Sequence, residues 1–211
     1  MQHLSSKQHT AGHLFQVGTI FELGLGLLAL GLAWLMEVEL FPGLFPLRAE
    51  PFLQGGIAAG GMIAAAWLLA QRRWEPLEEI FRQIVRLLGP LLLHGRWWQW
   101  AVLSLAAGWG EELLFRGVLQ TKLQQHLGLW PAVVVASVVF GGLHAITPLY
   151  FLLATIIGFA FGWLFYYTGS LVSVSLAHAL YDFWALAYLS HRYRQEIEVR
   201  GEAAPQEEQG E

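Results

Sequence analysis

The chain has 211 residues, 55% of them hydrophobic and 13% charged, with a formal net charge of −4 and a mean hydropathy of +0.47. Soluble domains carry roughly a quarter charged residues, so the deficit points to lipid as the solvent, and so mild a charge gives no sign of a nucleic-acid partner. The absence of cysteine excludes disulfides, thiolate nucleophiles and cysteine zinc sites, leaving His and carboxylate as ligands for any metal.

The polar residues 1–10 lack a signal-peptide pattern, so the first apolar stretch is expected to be a spanning helix rather than a leader. Six apolar spans are expected, over residues 14–36, 52–70, 97–119, 130–146, 149–167 and 171–189. Between the second and third, Pro76 suits a first helical turn. Leu77, Ile80, Phe81, Ile84, Val85 and Leu88 then recur at helical spacing with Arg82, Gln83 and Arg86 between them, which predicts an amphipathic helix in the headgroup layer. Thr147-Pro148 and Thr168-Gly169-Ser170 form joints short enough to make antiparallel neighbours. Gly56-xxx-Gly60 and Gly158-xxx-Gly162 read as ordinary close packing.

The expected fold is therefore all-α, a polytopic membrane helix bundle with about six transmembrane helices and one interfacial helix. Residues 1–96 form an N-terminal part with two spans and the amphipathic connector. Residues 97–190 form a four-helix core, and 191–211 a disordered acidic tail. Lys7, Arg72, Arg73, Arg82, Arg86, Arg96, Arg192, Arg194 and Arg200 fall on one side of this arrangement, with Arg48 and Lys122 on the other. Both termini are thus expected in the cytoplasm, and the compact loops suggest a bacterial plasma membrane.

Seven ionisable residues lie inside the expected spans: Glu22, Glu111, Glu112, Arg116, His144, His178 and Asp182. Each costs about 3 kcal/mol or more when it faces lipid, so each is expected to pair, face the bundle interior or line a wet cavity. Asp182 is the sole aspartate of the chain. Glu112 and Arg116, four apart, share a helix face, as do His178 and Asp182; Glu111 points about 100° away from the first pair. Glu22 stands alone near the start of the first span and reads as a packing or headgroup contact. Taken singly, each pattern is commonplace; together they occupy three helices and hold nearly every charged group there.

A carboxylate and imidazoles in a dry cavity suit the activation of water. Glu111 with His144 would take its proton, and His178 would supply a donor to the developing oxyanion. Equally, Glu111, His144 and His178 could hold a divalent ion such as zinc with water as the fourth ligand. A single Asp excludes two-aspartate catalysis, and neither His-Glu-x-x-His nor Gly-x-Ser-Gly is present.

The three motifs Glu111-Glu112-x-x-x-Arg116, Phe140-x-x-x-His144 and His178-x-x-x-Asp182, in this order on successive membrane helices, resemble the CPBP family. That family groups type II CAAX prenyl endopeptidases with bacteriocin-processing, Abi-like and related bacterial membrane proteins. The resemblance implies an intramembrane protease, of glutamate or metal type, in which Glu111 activates water with His144 as partner. Glu112 and Arg116 would support them, while His178 and Asp182 would hold the oxyanion or position the water. The last position is often Asn in the eukaryotic branch; an ionised Asp182 cannot donate to an oxyanion, which favours a role orienting His178 or contacting a cation. The implied partners are membrane lipid and a peptide or membrane-anchored protein substrate, lipidated in the CAAX branch. Two other readings are a non-catalytic immunity or scaffold protein on the same fold and a proton-coupled transporter, the latter disfavoured by the lack of visible repeats.

Overall fold

The computed structural model describes residues 2–40, 49–72 and 74–202, and among them it is all-α, with no strand. Helix α1 spans Gln2–Leu35, α2 Ala49–Ala70, α3 Glu75–His94 and α4 Trp97–Glu112. A π-helical segment, Leu113–Gln120, continues α4 directly into α5, Thr121–Leu127. Then follow α6 (Leu129–Leu143), α7 (Pro148–Thr168) and α8 (Leu171–Glu202). Thr147 caps α7 by accepting from the Tyr150 amide, with Pro148 in the first turn, and Gly169 ends the same helix at φ 61°, a left-handed conformation open to glycine.

The bundle is a polytopic membrane protein. Four helical stretches, Gln8–Leu35, Ala49–Ala70, Pro148–Thr168 and Leu171–Val199, are long and apolar enough to cross a bilayer. Leu129–Leu143 is apolar but shorter. Large apolar side chains cover the outside, among them Ile20, Leu27 and Trp34 at 70, 71 and 85% exposed, far more than a water-facing monomer shows.

Several expectations change in detail. Helix α1 begins twelve residues before the expected first span. The third expected span is a composite of α4 and the wider π turns, with no signature in composition. The fourth stops at Leu143, so His144 is a helix terminus and not an interior residue. Residues 191–202, expected in a disordered tail, continue α8. There Arg192 pairs with Glu78 and Glu196, and the Arg194 guanidinium donates to the Leu93 carbonyl at 2.7 Å, so docking on α3 holds the extension in place. Residues 203–211, Arg48 and Arg73 lie outside the described residues.

Helix α3 has the expected amphipathic form. Pro76 sits in its first turn, Ile80 and Phe81 are buried, and the exposed Arg82 meets Glu75 and Glu79 at 2.7 and 2.8 Å. Helix α4 lies at the centre, packed on α1 and α8, with α2 on α8 and α6 on α7. Phe15 meets Trp98 edge-on at 5.3 Å, Gly18 faces Leu103, and Gly26 faces Gly110, so α1 and α4 run in the same direction. Two glycines permit the central approach. A Cβ on Gly108 would stand 2.6 Å from the Ser175 carbonyl of α8, and one on Gly110 would collide with the Glu22 carbonyl of α1.

Candidate active site

These close approaches bring the ionisable groups together. Glu112, with no exposed surface, accepts through Oε1 from Arg116 Nη1 at 2.8 Å and from His178 Nδ1 at 2.8 Å. The other arm of the guanidinium, Nη2, donates to the Gly158 carbonyl at 2.8 Å. The Arg116 guanidinium lies 4.8 Å from the Phe140 ring and 5.5 Å from Phe161, so aromatic faces take the place of water around it. Phe161 also stacks on His178 at 4.7 Å. His178 Nε2 approaches Asp182 Oδ2 at 3.3 Å. Both ring nitrogens of His178 thus face carboxylates, the arrangement of an imidazole placed to donate at both edges.

Glu111, one residue before this knot, is buried yet makes no such bonds. Its Oε2 has no hydrogen-bond partner among the described residues, and its Oε1 faces His144 Nε2 at 3.8 Å. The helix end fixes the tautomer of His144. The His144 amide bonds to Gly141 O instead of Phe140 O, which leaves the Phe140 carbonyl to accept from His144 Nδ1 at 2.8 Å. A carbonyl only accepts, so Nδ1 carries a proton, and in the neutral ring it is Nε2 that offers a lone pair toward Glu111. Phe140 stacks under the imidazole at 4.5 Å.

Asp182 is about one-third exposed and lies on the wall of an apolar cavity of about 570 Å³ between α2, α3, α7 and α8. Tyr150 and Tyr181 line the same end; Arg72, Glu78 and Arg192 line the other.

All six expected site residues therefore meet, but in two subsets. Glu111 faces His144; Glu112, Arg116, His178 and Asp182 form one connected chain. The trio Glu111, His144 and His178 does not fit a metal site, because His178 turns both nitrogens to Glu112 and Asp182. Among the described residues no group of three or more His, Asp or Glu side chains is placed to hold an ion.

Several participants escaped sequence reasoning. The Gly158-xxx-Gly162 pair gives its carbonyls to Arg116 Nη2 and Gln120 Nε2, the latter at 3.0 Å, and so anchors the π segment. Gly56 and Gly60 meet nothing within 4 Å; α2 packs through neighbouring Gly55 instead, where a Cβ would stand 2.5 Å from Ser173 O. Glu22, expected at a packing or headgroup contact, interacts electrostatically with Glu111, Asp182, His178 and His144. The four-residue spacing of Arg116 and Gln120 was a usable signal; for Glu22 the cost of a carboxyl in a span was one, but it stands on a helix with no motif around it.

Residues 91–184 match the family described as "Type II CAAX prenyl endopeptidase Rce1-like". Over 83 residues the chain is 40% identical to the "Uncharacterized protein YpbD" of Bacillus subtilis (strain 168), covering 38% of this chain and 40% of that protein. No solved structure matches.

Proposed function

We propose, from the match of residues 91–184 to the Rce1-like family, a membrane-embedded peptidase in which Glu111 and His144 activate one water between them. The observation that carries this reading is the contrast at adjacent residues: Glu112 is clamped through Oε1 by Arg116 and His178 at 2.8 Å, while Glu111 is buried, accepts no hydrogen bond among the described residues and stands 3.8 Å from His144 Nε2. That distance is too long for a hydrogen bond and suits two atoms sharing a water. The water donates one hydrogen to Glu111 and the other to His144 Nε2, which leaves an oxygen lone pair for the scissile carbonyl. Glu111 takes the proton as the C–O bond forms. His178 Nε2–H, loosely held by Asp182 at 3.3 Å, turns to the oxyanion. Asp182 thereby orients the imidazole, and Glu112 and Arg116 fix its other edge.

The apolar cavity beside Asp182 and Tyr150 receives the substrate, an extended peptide or the lipid group of an anchored protein. In this reading α4 with the π segment and α6 complete six crossings of a plasma membrane, with both termini cytoplasmic. The parallel run of α1 and α4 supports that order.

The test uses full-length protein in liposomes with internally quenched peptides, each with and without a prenylated cysteine. The wild type cleaves, while Glu111→Ala and His144→Ala remain folded and do not. Full processing by both variants sinks the reading and favours a scaffold or immunity role. A chelator leaves the rate unchanged if the carboxylate pair on His178 persists in the working enzyme.

A further inference from the structure

Glu22 takes no part in the reaction above, yet its surroundings match neither a packing contact nor a headgroup contact. It is a carboxyl on a spanning helix, where ionisable groups are costly unless they have a use. Its Oε2 is fully buried and takes no hydrogen bond among the described residues; neither does Thr19 Oγ1, one turn earlier on α1. Its own carbonyl lies against Gly110, the residue preceding Glu111, so α1 brings Glu22 to the turn of α4 that carries the carboxyl without a hydrogen-bond partner. The ionisable groups that bear on it are Glu111 of α4, Asp182 and His178 of α8, and His144 after α6.

We propose that Glu22 is the proton donor to the amine that leaves the site, working in tandem with Glu111 as base. This rests on the endopeptidase reading and assigns a second carboxyl to it. Peptide hydrolysis needs a base for the water and an acid for the leaving nitrogen, and two carboxyls divide those tasks. Glu111 takes a proton from water as the water oxygen bonds to the carbonyl carbon. When the adduct collapses, the C–N bond breaks and its electron pair goes to nitrogen, which takes the proton of the Glu22 carboxylic acid. Passage of the proton from Glu111 to Glu22 restores both groups. One water is consumed and no net proton is gained or lost by the protein.

The alternative is that Glu111 alone shuttles its proton and Glu22 merely packs. A matched pair of substrates separates the two. One is a quenched peptide that the wild type cleaves; the other is its depsipeptide twin, with an ester at the scissile position. An alcohol leaves with far less need of protonation than an amine. Glu22→Gln should slow the amide about 100-fold and the ester less than about tenfold. Glu111→Gln should stop both alike. Glu22→Asp keeps an acid and should keep the amide-to-ester ratio of the wild type, which guards against a misfolded Gln variant. Equal loss on both substrates in Glu22→Gln, an unchanged amide rate, or a ratio in Glu22→Asp as altered as that expected for Gln overturns the proposal. A wild type that cuts neither substrate defeats the endopeptidase reading itself.

Discussion

The two sides of the site use similar side chains to opposite ends. On one side Glu112, Arg116, His178 and the Gly158 carbonyl are tied together by three hydrogen bonds of 2.8 Å and cut off from solvent. On the other, Glu111 and His144 stand 3.8 Å apart, with a carboxyl oxygen and a ring lone pair uncommitted. Mutual hydrogen bonds hold side chains in place, whereas a buried group without them is ready to bind and react. In the proposed mechanism the Glu112–Arg116 pair is the strut that fixes His178, and Glu111 with His144 is the working surface, although both glutamates come from a single Glu-Glu dipeptide.

The largest break in this comparison comes from Arg116→Ala. It leaves Glu112 buried without its cation, a loss of about 3–5 kcal/mol, read as a fall in the unfolding midpoint in detergent. His144→Ala should act oppositely. Cleavage falls about 100-fold, while the midpoint moves by no more than the loss of one hydrogen bond, about 1 kcal/mol. Gly110→Ala forces a Cβ into the Glu22 carbonyl and parts α1 from α4; overpacking of this kind costs about 1–3 kcal/mol, with activity falling in step.

The smallest effect belongs to the exposed charges of α3. Hydrogen bonds first from Arg82 and then from Gln83 hold the Glu79 carboxyl below its ordinary range. A depressed carboxyl contributes stability above its unfolded pKa and loses it as pH falls through the folded value. Solvent screens this exposed group, so Arg82→Ala should leave the unfolding midpoint unchanged within error, at neutral and at mildly acid pH.

What the sequence made legible follows from cost and periodicity. A charged group in an apolar span must have a use, and this rule gathered Glu22, Glu111, Glu112, Arg116, His144, His178 and Asp182, six of them in three motifs. The spacing of Ile80, Phe81 and Ile84 placed α3, and Thr147-Pro148 and Gly169 marked the ends of α7. What stayed hidden depends on register between helices. The π segment has no signature in composition; it is held by Arg116 and Gln120 reaching two carbonyls forty-two residues away. Glu22 comes to the turn before Glu111 because Gly110 lets α1 settle against α4 in one register. The helical run of 191–202 needs α3 as a surface, which no local pattern reveals.

Peptide cleavage by Glu111→Gln, measured in liposomes alongside its unfolding midpoint, tests the division of labour most directly. The midpoint is expected to equal that of the wild type and the rate to be lower by about 100-fold or more. A variant that cleaves at the wild-type rate, or one that loses activity only in proportion to its stability, would show that Glu111 belongs to the strut and that the chemistry lies elsewhere.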